Sequence, residues 1–278
     1  MKTRGIFIIS VIIFVLFLFL IPNNLISSDL GNTVLTITAF LFGIIAGFYI
    51  VVTTTDYNNV KNILAAETAG WISLYQNVLT YDKPAAEKLV QSIDNYIRSS
   101  FDFEIIDYAK STQVAFADIQ KIINNLPLKN DLSYVYQVIR GINNEIIKAR
   151  QQLLVLGAKT LSFFQWSILF TLSVLLVFSL YGLRSGQLFF DIVTVAISAS
   201  VILILFLIRD LDLYIWNEKT FGYDIFENVL TSLGLLPYYP KESLDKGRVH
   251  PLEKEYRLGT YLNYPKTLER KIEIHKAD

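Results

Sequence analysis

Carboxylates are the residues in this sequence best placed to do chemistry, and a few stand where one could bind a cation, carry a proton or answer a buried base. Asp210, Asp212, Glu218, Asp224 and Glu227 follow one another closely, and oxygen ligands at such density suit a divalent ion. The plainer account is a solvated acidic face. No metal or other cofactor is expected. Asp191 lies in an apolar run, where a carboxylate at the bilayer centre would cost about 2.5–3.5 kcal/mol. Near the outer end of that run it is expected to be solvated beside Arg184, with a ring of charge around an oligomer axis as the sharper alternative. Glu67 interrupts an apolar stripe and is flanked by Ala65, Ala66, Ala69 and Gly70, so neighbouring helices could pack tightly over it. An acid so placed needs a partner, and Arg150 is the expected one; a surface Glu67 is the alternative.

Enzymatic chemistry finds no support. The two histidines, His250 and His275, lie near the C-terminus, there is no cysteine, and no phosphate loop, nucleophile elbow or zinc-binding helix is present. Lysine plus arginine balances aspartate plus glutamate at 25 each, so no basic field exists to gather nucleic acid.

Apolar residues make up 53% of the chain against 18% charged, a balance that points to a lipid bilayer as a partner. Residues 5–21 are uncharged, and 15 of these 17 are Ile, Leu, Val or Phe, preceded by Lys2 and Arg4. A cleavable signal peptide is the competing reading, but the run exceeds the usual apolar core, and cutting after Ser27 or Ser28 would leave Leu25 or Ile26 where a small residue is preferred. Residues 33–55, 160–183 and 188–208 supply three more candidate spans. The sequence therefore predicts an all-α protein with four spans. It divides into an N-terminal transmembrane hairpin (1–55), a cytoplasmic helical domain (56–158), a second hairpin (159–209) and a C-terminal short helix and tail (210–278). Lys2, Arg4, Lys61, Lys159 and Arg209 on one side against Arg184 on the other predict a multi-pass protein of the cell membrane with both termini cytoplasmic.

The cytoplasmic part reads as helices. Leu132, Val135, Ile139, Ile142, Ile146, Ala149, Leu153 and Leu156 alternate spacings of three and four behind an N-cap at Asp131, and this helix is expected to run unbroken into the third span. Val60, Leu64, Glu67, Trp71, Leu74, Val78 and Tyr81 form a similar stripe, so the second span should project beyond the bilayer. Asp82 and Pro84 start a helix to about Ser99, and another is expected over 105–125. The tail shows no clear periodicity and is expected to be an extended arm or a loose end.

The second span carries two parallel stripes. Ala39, Gly43 and Gly47 recur every fourth residue and make a helix-packing face that lets backbones approach closely. Phe40, Ile44 and Phe48 recur beside them. Such a pair is ordinarily helix packing next to a lipid-facing surface; in an oligomer the bulky stripe could line an axis and close it by dewetting.

The order of short motifs resembles the bestrophin-like membrane protein family, relatives of the bestrophin anion channels. The matching pieces are Phe42-Gly43-Ile44-Ile45-Ala46-Gly47-Phe48-Tyr49-Ile50, Glu67-Thr68-Ala69 with Leu74-Tyr75, Ala149-Arg150-Gln151-Gln152-Leu153, Trp166 and Phe221-Gly222. They span residues 33–234 with the same two-plus-two spacing of spans. The resemblance implies a homo-oligomer, a pentamer above all, passing small inorganic ions, anions among them, through an apolar constriction of Phe40, Ile44 and Phe48. The sequence departs from the family where an arginine and two tryptophans are looked for and Asp56, Tyr57 and Asn58 stand. It also lacks the acidic run of the calcium clasp, keeping only Asn217, Phe221, Gly222 and Asp224. A non-conducting scaffold or sensor, whose cytoplasmic helices bind a partner, is the alternative reading.

Overall fold

A computed structural model describes residues 3–103, 107–156, 161–214, 223–249, 251, 254–264 and 266–276. The chain falls into two compact units, one comprising Met1–Tyr57 with Lys159–Leu213 and the other Asn58–Ala158 with Tyr214–Asp278. Helix α2 (Ser28–Tyr81), an unbroken 54 residues, belongs to both. At 1.5 Å per residue it is about 80 Å long, far more than the ~30 Å of a hydrocarbon layer.

The first unit holds α1 (Thr3–Leu20), the N-terminal part of α2, α7 (Phe163–Gly182) and α8 (Leu188–Asp212). Helices α2, α7 and α8 are long and apolar enough to cross a membrane; within α1 the stretch Phe7–Leu20 is apolar but shorter. Phe42, Ala46 and Tyr49 of α2 pack with Leu169 and Leu176 of α7 and Val201 and Ile208 of α8. Phe14 of α1 packs with Tyr181, Val195 and Ala199, and the Tyr181 hydroxyl donates to the Phe14 carbonyl at 2.6 Å.

The expected run of one helix into the third span is corrected at Ser162. This residue is extended, its side chain accepts from the Gln165 amide, and Gln165 reaches back in a capping box, so α7 starts afresh at Phe163. A polar cap satisfies amides that an uninterrupted helix would have paired internally. Residues 157–160 lie outside the described residues.

The second unit contains the C-terminal part of α2, α3 (Lys83–Ser100), α4 (Tyr108–Ser111), α5 (Gln113–Asn124) and α6 (Ser133–Leu156). Val60, Leu64, Trp71, Leu74, Val78 and Tyr81 are buried along one face of α2, as the stripe demands. Asp82 caps α3 by accepting from the Ala85 amide at 3.1 Å, with proline in the first turn. Asp131 sits in a single 3-10 turn, Asn130–Leu132, rather than capping α6 directly.

Two further expectations are corrected here. The helix expected over 105–125 breaks at Thr112 into α4 and α5, because the carbonyl of Ala109 accepts from a buried arginine instead of continuing the helical ladder. The all-α expectation is the other: of its two readings the tail takes the extended arm, and it carries strands. After α9 (Asp224–Ser232) come β1 (Tyr238–Pro240), α10 (Lys241–Asp245), β2 (Glu255–Tyr261) and β3 (Arg270–Lys276), forming a sheet in the order β1-β2-β3. β1 runs parallel to β2, and β3 antiparallel to it. In β3, Ile272 and Ile274 alternate with Lys271, Glu273 and His275, a period of two that a strand requires.

Ion pairs strap this sheet to α3. Arg257 grips Asp94 with both guanidinium nitrogens, at 3.0 and 2.7 Å, and Asp94 also pairs with Arg98. Arg270 pairs with Asp102 and Glu242 and lies over the Tyr261 ring, 3.5 Å from its centroid. Gly259 is needed beneath Tyr238, since a Cβ there would collide with the tyrosine hydroxyl.

Burial pushes both Tyr238 and Tyr261 up from 10.0 to about 12, with the Asp102 carboxylate adding to the rise at Tyr261. A folded-state value above the unfolded one means that the contribution to stability is complete below pH ~10 and is lost as pH rises towards ~12. The sheet is therefore expected to come away cooperatively in that window, read as a joint rise in phenolate absorbance and protease cleavage. Tyr261→Phe should shift the cleavage transition to higher pH. A gradual titration centred near pH 10, without cleavage, would contradict the assignment.

Candidate functional site

Two arrangements concentrate the residues singled out by the sequence. The first is the outward face of α2. With Phe42, Ala46 and Tyr49 turned into the core, Phe40 is left 66% exposed, Ile44 54% and Phe48 62%. They share one helical line, as a spacing of four dictates. Ala39, Gly43 and Gly47 are exposed as well, and a Cβ built on either glycine meets nothing within 4 Å. The expected helix packing at this small-residue face is thus not supplied within the chain. Helices α7 and α8 occupy the Phe42-Ala46-Tyr49 face instead, where larger side chains interdigitate and bury more apolar surface.

The second arrangement is a buried ionic cluster in the helical unit. Glu67 is fully buried and Arg150 is 5% exposed; Arg150 Nη1 lies 3.6 Å from Glu67 Oε1. The Tyr96 hydroxyl donates to the same carboxylate oxygen at 2.6 Å, and Arg150 Nη1 donates to the Tyr96 oxygen. Arg150 Nη2 donates to the Ala109 carbonyl at 2.6 Å, and both terminal nitrogens contact the Thr112 hydroxyl at 3.4 and 3.5 Å. The guanidinium also sits over the rings of Phe116, at 4.3 Å, and Tyr96, at 5.0 Å. Burial first, and the nearby Glu67 charge second, hold the Tyr96 phenol well above its usual range, so it stays protonated and keeps donating.

One carboxylate thus links α2, α3, α6 and the α4–α5 break. Gly70 permits the close approach beside it, since a Cβ there would collide with Ile146 of α6. Gln120 and Asn143 exchange two side-chain hydrogen bonds, at 2.8 and 2.9 Å, and tie α5 to α6. Trp71 packs at a tilt against Tyr96 and edge-on against Phe116, filling the space around the pair.

Among the remaining candidates, Asp191 and Asp212 each have partners within the chain. Arg184 Nε stands 3.4 Å from Asp191, and Arg184 also donates to Asn23 and to the Leu18 and Ile21 carbonyls. A cation there meets the unpaired carbonyls at the C-terminal end of α1. Asp212 is buried and accepts from the Leu161 amide at 2.9 Å and from the Trp166 indole at 3.3 Å. Asp224 is exposed in the first turn of α9, while Asn217, Glu218, Phe221, Gly222 and His250 lie outside the described residues. Among the described residues, no three histidines or carboxylates gather as metal ligands.

Residues 4–213 match the model of the Bestrophin-like domain, three quarters of the chain. The chain belongs to the bestrophin-like family. A crystal structure of a bacterial bestrophin homolog from Klebsiella pneumoniae, in a variant carrying a tryptophan-to-alanine substitution, shares the fold of this bestrophin-like chain. It superposes with a TM-score of 0.61 at 13% identity, covering 84% of this chain and 99% of that one. No curated protein is detectably similar in sequence. The family match and the long apolar helices together make this bestrophin-like chain a membrane protein.

Within this bestrophin-like chain, the buried cluster includes residues that pairwise reasoning over the sequence passed by. Tyr96 falls on the apolar face of α3 with Leu89 and Ile93, so its hydroxyl enters the core where only a polar partner could satisfy it. Thr112 and the Ala109 carbonyl carried no comparable signal, because their part depends on a helix break made by the arginine itself.

Proposed function

We propose that this chain is one subunit of a homo-oligomeric ion channel, a pentamer, in which copies of α2 surround a common axis. Ions pass passively through an apolar constriction formed by Phe40, Ile44 and Phe48. The observation that carries this reading is that these three bulky side chains remain exposed on a long apolar helix, although α7 and α8 are available to cover them. A few helices cannot enclose a water-filled path, so several copies are required, and the open Gly43 and Gly47 positions leave room for a neighbouring copy to approach. Bulky apolar rings gate such a path by dewetting. Membership of the bestrophin-like family supports the same reading.

In this account the chain is a four-span protein of the cell membrane. Helix α1 is the first span, and both termini and the helical unit are cytoplasmic. Small inorganic ions are the permeant species and no enzymatic step takes place.

The assembly itself can be tested without measuring current. In mild detergent, light scattering should give a protein mass near five times the 31.8 kDa chain, and projection images should show five-fold rings. A monomer or dimer that carries no ion flux would favour the non-conducting scaffold instead.

A further inference from the structure

Beyond the apolar stripe, the outward line of α2 continues through the adjacent Asn58 and Asn59 and then, at spacings of three and four, through Asn62, Ala66 and Ala69, and all five residues are exposed. None carries a charge. Asn59 and Asn62 also line a groove of about 630 Å³ shared with Gln151 and Gln152 of α6. The lining contains no carboxylate, and its single cation, Lys148, lies 3.6 Å from Glu145, which offsets its charge.

Four carboxamides converging on one groove are chemically specific. Each presents a carbonyl oxygen that can coordinate a cation and an NH₂ group that can donate to an anion, with no fixed charge to favour either. The rest of the lining is Lys148 and the aliphatic Ile63, Val155 and Leu156, so the amides are the polar, uncharged part of a largely apolar groove. Of the charged residues on this stretch of α2, Lys61 is turned about 100° from Asn62 around the helix, away from the groove, Glu67 is buried, and Asp56 is half-buried and is not among the residues lining the groove.

We infer that Asn59 and Asn62, with Gln151 and Gln152, form an uncharged amide subsite for small monovalent ions, which replaces part of the hydration shell of either sign and makes the pathway weakly selective. The inference rests on the pore reading and deepens it. The apolar stripe controls whether ions pass, and the amides control which ions do.

The test is the reversal potential of the purified full-length protein in planar bilayers under a potassium chloride gradient. Wild type should discriminate little between potassium and chloride. Asn62→Asp should raise the cation-to-anion permeability ratio by about fivefold or more, the factor expected of a unit charge roughly 4 Å from a hydrated ion, and Asn62→Lys should lower it similarly. Asn59→Asp and Asn59→Lys should act in the same two directions. Lys121→Glu, a charge change on the exposed face of α5, should leave the ratio unchanged. Conducting variants that all keep the wild-type ratio would overturn the subsite while leaving the pore standing. A wild-type protein that never conducts would remove the pore reading and this inference with it.

Discussion

Arg150→Ala is expected to lower the stability of the protein by about 3–5 kcal/mol, because it strands the fully buried Glu67 carboxylate without its cation. The loss has three sources. Glu67 Oε1 loses its cation at 3.6 Å, the Ala109 carbonyl loses a donor at 2.6 Å, and the rings of Phe116 and Tyr96 face a cavity where the guanidinium lay. Glu67→Ala should fall in the same range, now leaving the arginine uncompensated. Tyr96→Phe removes one hydrogen bond to Glu67 and should cost less, about 1–3 kcal/mol. Thermal unfolding in detergent, followed by helical circular dichroism, should rank the variants in that order. Replacing both charges together, Glu67→Leu with Arg150→Met, should recover much of the loss, since an apolar pair of similar volume leaves no charge behind. An Arg150→Ala protein that unfolds at the wild-type temperature would contradict the cluster.

The second large effect is expected at the proposed constriction. Ile44→Ala or Phe48→Ala shortens an apolar side chain that projects from the exposed line of α2, and in an oligomer each change is repeated in every copy. A wider constriction admits water more readily, so the barrier to ion passage falls. Lowering that barrier by ~1.4 kcal/mol would raise flux about tenfold. Ion flux into protein-containing liposomes should rise for both variants. Tyr49→Phe, one residue round the helix on its buried side, should leave flux near wild type. Equal flux in all four proteins would place the barrier elsewhere.

How far the sequence reveals these features depends on how local each one is. The buried line of α2 from Val60 to Tyr81 and the cap at Asp82 follow from spacing and short-range chemistry, so they can be read directly. Glu67 stands out because an acid within an apolar stripe needs a partner, and Arg150 lies beside a matching seam. Features created by tertiary contacts are harder to see. The break at Thr112 exists because Arg150 takes the Ala109 carbonyl, and the start of α7 at Phe163 depends on a four-residue capping box within a long apolar context.

The C-terminal sheet had a signal that charge obscured. Ile272 and Ile274 alternate correctly for a strand, but the sheet is short and is held by Arg257 reaching Asp94 in α3 and Arg270 reaching Asp102 just after it, each more than a hundred positions earlier. In α2, periodicity placed the two stripes side by side correctly. It did not reveal that the small-residue stripe faces outward, because which face is buried is decided by α7 and α8.

The most direct test of the pore uses the absence of cysteine from the chain, which lets a single thiol be placed at will. Phe48→Cys protein in a planar bilayer is predicted to conduct, and a charged thiol reagent should then change the current sharply as it modifies each copy in the ion path. No current before the reagent, or an unchanged current after mass spectrometry has shown complete modification, would contradict the claim that Phe48 lines an ion pathway.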